Sequence, residues 1–269
     1  MKTLSPLIKW AGSKRSQAKQ IIDNFPDSID YYFEPFIGGG SILGALSPNK
    51  AIAGDLCNPL IDIWKEVKKN PKKFATEYEE RWEKLQSIGH TYYYEVRDRF
   101  NKEHSPYDLL FLSRTCVNGL IRFNRSGEFN NSLHHTRKGI DPMTFEKILS
   151  EWSSIIQNYE FHAVDYRELT KKASCQDFIY LDPPYSNTKG RYFGGIDLEA
   201  FFGYLADLNK RNIKFALSFD GSRGDKNFVA DVPKELYKRH LLLHSGNSTF
   251  NKVQNKGVEA VLESLYLNY

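Results

Sequence analysis

The sequence lacks several features that would settle its class at once. Cysteine is scarce: three residues, Cys57, Cys116 and Cys175, with no CxxC pair among them. That argues against a zinc site and against a disulfide framework, and predicts a reducing compartment and no metal. No run approaches 18 consecutive apolar residues, so no membrane-spanning helix is expected. The first residues, MKTLSPLIKWAGSKR, have neither the apolar stretch nor the small-residue cleavage site of an export signal, and a cytoplasmic location is expected. Repeats, low-complexity tracts and Gly/Ser linkers are missing too. Net charge is only +4, so no strongly polyelectrolyte character is imposed on the whole chain.

What is present is an ordinary soluble composition, 41% hydrophobic and 26% charged over 269 residues. This is long enough for one large domain, or one domain with an insertion. The small net charge is unevenly spread. Residues 111–140 hold Arg114, Arg122, Arg125, Arg137 and Lys138 against Glu128 alone, 5 − 1 = +4, which leaves the remainder about neutral. A local basic patch can attract a polyanion, although it can equally be a solvated surface.

Strand-like and helix-like segments alternate in two stretches. In the first, a helix near 13–24 precedes the strand "DYYFEP", a Gly-rich turn with the helix "FIGGGSILGAL", and the strand "KAIAGD". In the second, "YEFHAVD", "DFIYLD" and "IKFALSF" read as strands, with the helix "DLEAFFGYLADLNKRN" between the last two. Two late apolar runs, "YKRHLLL" and "AVLESLYLNY", suit an antiparallel pair closing the sheet. The pattern predicts an α/β fold, a parallel sheet with helices on both faces. Between the two stretches, roughly 60–151, the pattern is mostly helical. It contains "IRFNRSGEFN", where alternation around Ser126-Gly127 reads as a β-hairpin, and it ends in "DPMTFEKILSEW", with Asp at a helix N-cap and Pro at the first helical position.

Three stations fall at strand ends. The first is Phe36, Gly38 and Gly40 in "FEPFIGGGS", where glycines let a ligand approach the backbone. It lacks the G-x-G-x-x-G of a dinucleotide fingerprint, and a structural turn explains it almost as well. The second is Asp55, placed where α/β folds set an acid on ribose hydroxyls, or else capping the following helix. The third is Asp182-Pro183-Pro184-Tyr185. A strand ended by two rigid prolines holds polar groups at fixed distances. An amine conjugated to a heteroaromatic ring is a poor nucleophile, and acceptors that draw it toward sp³ geometry activate it. Asp182 and the Pro183 carbonyl can serve as those acceptors, with Tyr185 stacked on the ring. A base treated this way must be turned out of its duplex.

These motifs, with "KWAGSK" (Lys9 to Lys14) and "NGLIRFNRSGEFN" (Asn118 to Asn130), resemble the Dam-like DNA adenine-N6 methyltransferases, the D12 class, alpha group. The likeness covers essentially the whole chain, and the motif order agrees. It implies a Rossmann-like fold for a domain of residues 1–59 and 152–269, with a target-recognition insert at 60–151. It implies S-adenosyl-L-methionine (SAM) as cofactor, bound by Trp10, Lys14, Phe36, Gly38, Gly40, Asp55, Asp165 and Asp182. Asp165 is equally readable as a helix cap. By the same likeness double-stranded DNA is the substrate, read and gripped by Arg122, Asn124, Arg125, Arg137 and Lys138. A restriction endonuclease can accompany such an enzyme without a stable complex, or the enzyme can work alone. Methylation of cytosine N4 and a catalytically silent DNA-binding protein remain as alternatives. One departure limits the likeness: "NNSLHHTRKGIDP" stands where GATC-reading relatives commonly carry Asn-Val-Pro-Phe-Gly, so a GATC site is not implied.

Overall fold

The computed structural model describes residues 4–124, 126–136, 138–184, 196–223, 226–227, 232–244 and 261–269. Among the described residues, eight strands form one sheet: β1 (Tyr32–Glu34), β2 (Ala51–Gly54), β3 (Tyr159–His162), β4 (Phe178–Leu181), β5 (Lys214–Arg223), β6 (Lys226–Asn227), β7 (Arg239–His244) and β8 (Val261–Leu267). The order is β3-β2-β1-β4-β5-β8-β7, with the two-residue β6 pairing off the end of β5. Strands β1 to β5 run parallel, and β8 lies antiparallel between β5 and β7. The late apolar runs therefore close the sheet as an antiparallel pair, as their sequence suggested.

Both faces are buried, which is why the strands read as continuous apolar runs. Side chains alternate between two cores. Tyr32, Phe178, Tyr180 and Ala216 point to one core, with Ile42, Ile61, Trp64 and Trp152 from the helices. Phe33, Ile179, Leu181 and Leu217 point to the other, against Tyr166, Phe201 and Leu205. Burying each such large side chain stabilises the fold by about 1.5–3 kcal/mol. The first core is roofed by α1 (Ala18–Ile22), α2 (Ser41–Leu46), α3 (Asn58–Lys69) and α7 (Pro142–Ile155), and the second by α8 (Tyr166–Leu169) and α9 (Leu198–Lys210). The first helix is much shorter than the sequence pattern suggested.

The helical excursion comprises α4 (Pro71–Ile88), α5 (His90–Glu103) and α6 (Pro106–Thr115). It grows out of the sheet's own helical layer. Trp64 of α3 stacks on Phe161 of β3 at 5.7 Å and meets Trp152 of α7 at 4.9 Å. The start of α7 is as the sequence predicted, with the Asp141 side chain accepting from Thr144 N at 2.9 Å and Pro142 opening the helix. Inside the excursion Asp108 is fully buried between two guanidiniums, 2.8 Å from Arg81 Nε and 2.6 Å from Arg99 Nη2.

The hairpin forms as one antiparallel bridge, Phe123 to Phe129, flanked by the bonds Asn124 N to Glu128 O (2.8 Å) and Asn130 N to Arg122 O (3.0 Å). Its basic surroundings are smaller than the sequence suggested, because Arg114 is 5% exposed. Lying on the inner side of α6, it donates through Nη2 to the Pro6 carbonyl and faces the Phe145 ring, and burial pulls its guanidinium down to about 10. It fastens the N-terminal segment instead of meeting a polyanion. Trp152 Nε1 adds a second fastening at Ser5 O, 2.8 Å away.

Candidate active site

The strand order reverses between β1 and β4, and ligands of open α/β sheets bind outside the carboxyl ends of strands at such a switch point. A cleft of about 280 Å³ opens there. Glu34 ends β1, Asp55 follows β2, Asp165 lies beyond β3, and Asp182 follows β4. The parallel register thus brings four acids from distant parts of the chain to one rim.

The floor is the turn between β1 and α2. Gly38 adopts φ +46°, and a Cβ there would lie 2.7 Å from Cδ1 of Trp10, so only glycine lets the indole sit down on the turn. Gly38 N donates to Asp55 Oδ2 at 3.3 Å, and Cys57 N to Asp55 Oδ1 at 3.0 Å. Asp55 is therefore tied to both the turn and the entry to α3. Burial nevertheless raises its carboxyl to about 6, against the pull of these donors. Phe36 completes the wall, packed on Tyr166 and Phe201 at 5.6 and 6.4 Å. Gly40 does not line the cleft. It turns into α2 at φ +67°, and its missing side chain makes room for Trp64 and Trp152 behind the floor.

Asp165 lines the cleft but is engaged as a cap. It accepts from Arg167 N at 2.9 Å and Arg167 Nε at 2.7 Å. Burial would raise its carboxyl, and the Arg167 contacts overcome that and hold it below the ordinary value.

Asp182 emerges from β4 with Pro183 and Pro184 beside it in the cleft. Lys14 Nζ sits 2.8 Å from its Oδ1. Burial raises the Asp182 carboxyl to about 6, opposed by the Lys14 cation and assisted by Glu263. Sequence reasoning missed Glu34, which is 3% exposed and accepts from Tyr32 Oη at 2.7 Å. Burial pushes it up to about 8, so it holds a proton at neutral pH. The neighbouring "EPF" could have drawn attention to it. Tyr185 lies outside the described residues.

On the insert, Arg122 is exposed and donates through Nε to Asn130 Oδ1 at 2.8 Å. Asn124 has both ends of its amide engaged within the turn. Its Oδ1 accepts from the backbone of Ser126 and Glu128, and its Nδ2 donates to Glu128 Oε2. Lys138 is exposed. Arg125 and Arg137 lie outside the described residues. No helix among the described residues is long and apolar enough to cross a membrane.

Comparison with known proteins decides the class. The family described as D12 class N6 adenine-specific DNA methyltransferase matches residues 10–247. The chain belongs to this family. The type II methyltransferase M.MjaIII of Methanocaldococcus jannaschii is 32% identical over 99% of both chains. A DNA adenine methylase of Serratia marcescens is 30% identical over 69% of this chain and 68% of its own length. The type II methyltransferase M.FokI of Planomicrobium okeanokoites is 27% identical over 98% of this chain, which spans only 43% of that protein. This D12-class chain is thus an adenine-specific DNA methyltransferase, and its substrate is DNA.

Proposed function

We propose that the cleft binds S-adenosyl-L-methionine and that Asp182 and the Pro183 carbonyl hold the target adenine N6 for transfer. The observation that carries this reading is the meeting of Asp182 with the Trp10, Gly38 and Asp55 wall in one cleft at the switch point. The donor set suits the cofactor. Asp55, raised to about 6 at the end of β2, suits ribose hydroxyls. The Trp10 and Phe36 rings offer π faces to a cation, and Lys14 lines the cleft beside them, holding Asp182 toward the cofactor. Asp165 stands where it can meet the cofactor adenine at the outer edge. Gly40 contributes only by shaping the turn.

When bound, SAM supplies an electrophilic methyl on a sulfonium. The protein does the rest by position. Asp182 accepts one N–H of the flipped adenine, Pro183 the other, and Tyr185 stacks on the ring, so the nitrogen lone pair is directed for in-line attack. N6 would bond the methyl carbon as that carbon's bond to sulfur breaks, the positive charge growing on nitrogen would lie beside the Asp182 carboxylate, and one N6 proton would then pass to water. Calorimetric binding of SAM to the purified protein tests the cofactor. Sequencing methylated bases in DNA from cells making it tests the product and reveals the site. Gly38→Ala is expected to displace Trp10 and weaken SAM binding about tenfold while the protein still melts cooperatively. Unchanged affinity would count against Trp10 and Gly38 as cofactor residues.

Residues 60–151 are the target-recognition unit in this reading, set on a catalytic domain of 1–59 and 152–269. Arg122 precedes the hairpin turn that Asn124 holds together, Arg125 follows Asn124 in the sequence, and a two-stranded ribbon fits the major groove. Arg137 and Lys138 grip phosphates. Arg125→Ala is expected to relax base choice at one position by about 1–3 kcal/mol. Lys138→Ala is expected to weaken binding to all DNA alike and flatten its salt dependence. Methylation rates across single-base variants of the site, at two salt concentrations, separate the two. Equal slowing of every variant by Arg125→Ala would move base reading elsewhere in the insert. The enzyme works in the cytoplasm, either alone or beside a cognate restriction endonuclease that acts on the same site without a stable complex.

A further inference from the structure

Asp182 does not stand alone with Lys14. Glu263, on β8, which runs antiparallel to β5, reaches the same ammonium: its Oε2 lies 3.5 Å from Lys14 Nζ. The Lys14 side chain is 4% exposed, Asp182 19% and Glu263 20%. Nζ also donates to the Gly12 carbonyl at 3.3 Å. The base of Lys14 is fixed as well, because the neighbouring Ser13 hydroxyl is 2.6 Å from that of Ser41 at the start of α2. One nearly buried cation is thus shared by two acids and a carbonyl.

That sharing bears on the chemistry. A carboxylate wholly claimed by an ammonium is a weak acceptor for an amine N–H, and one that no cation holds can rotate. Asp182 needs to be held and yet remain negative enough to act. We propose that Glu263 is a positioning residue for methyl transfer: it draws the Lys14 ammonium partly away from Asp182, so that Lys14 fixes Oδ1 without neutralising the carboxylate, and the target amine is received on Oδ2. The inference rests on the reading of Asp182 as the amine acceptor.

Among the described residues, the groups that set the charge at Asp182 are Lys14 from the N-terminal segment, Tyr32 and Glu34 from β1, Tyr180 from β4 and Glu263 from β8. Glu34, at about 8, and the phenol of Tyr32, raised further by burial, are neutral near pH 7. Glu263 and Lys14 are left as the opposing charges. Two opposite changes follow. Without the Glu263 charge the Asp182 carboxyl becomes easier to ionise, and its titration moves to lower pH. Without the Lys14 charge it moves to higher pH.

The test is a carboxyl-carbon NMR titration of Asp182 in the cofactor-free protein, paired with single-turnover transfer to unmethylated genomic DNA between about pH 5 and 9. Glu263→Gln is expected to lower the Asp182 midpoint by about half a unit to one unit. The acid limb of the rate should move with it, and the plateau rate should fall about tenfold with little change in KM for SAM. Glu263→Asp, with its charge kept but drawn back, should show a smaller shift of the same sign. Lys14→Met should raise the midpoint. If Glu263→Gln and Glu263→Asp leave both midpoint and plateau rate at wild-type values, or alter only the melting temperature, Glu263 is merely structural and the inference fails. Asp182→Ala distinguishes the two levels of failure. An active Asp182→Ala protein removes the underlying reading, whereas an inactive one beside a normal Glu263→Gln removes only this inference.

Discussion

Asp182→Ala is expected to slow methyl transfer by about 10²–10³ while the protein remains folded, the usual loss when a preorganised charge-stabilising group is removed. Folding should survive because Lys14 keeps Glu263 and the Gly12 carbonyl as partners. The same carboxyl sets the acid side of the pH profile. Burial places it near 6, and only its ionised form accepts the amine N–H, so turnover should decline as pH falls through about 6. Single-turnover rates of both proteins, with circular dichroism as the check on folding, measure this directly. A variant within a few-fold of wild type would remove Asp182 from the reaction.

The second large effect concerns stability and lies far from the cleft. Asp108→Ala is expected to cost about 3–5 kcal/mol, because it removes the fully buried carboxylate that Arg81 and Arg99 share and leaves the nearly buried Arg81 with Glu77 alone. Domains of ordinary stability hold only about 5–15 kcal/mol in reserve, so helices α4 to α6 should loosen well before the sheet does. Chemical denaturation followed at the insert and at the sheet would show it. A loss below about 1 kcal/mol would mean that the cluster relaxes and rehydrates.

The strand segments and the stations at their ends were legible because each depends on a short local pattern. "FIYLDPPY" announces a strand with both faces buried and a rigid tip, and "FEPFIGGGS" announces a turn that a side chain would block. Position in three dimensions was less legible. Arg114 and Arg122 look alike in a charge count, yet helical phase turns the first inward to Pro6 and leaves the second outside. Gly38 and Gly40 are two residues apart, but one meets Trp10 at the cleft and the other meets Trp64 behind it. Asn124 looks like a base reader, and its amide closes its own turn. Glu263 carries no motif at all. Only the pairing of β8 beside β5 brings it to the tip of β4.

That last pairing has a consequence for the growing polypeptide on the ribosome. Lys14 is made before both of its acidic partners, with Asp182 following and Glu263, on β8, later still. Contacts so distant along a chain close late, after local helices have formed. A nascent chain still missing β8 can already form helices α4 to α6, but its cleft still lacks Glu263. In the proposed mechanism, methyl transfer is then expected only after the strand bearing Glu263 has left the exit tunnel.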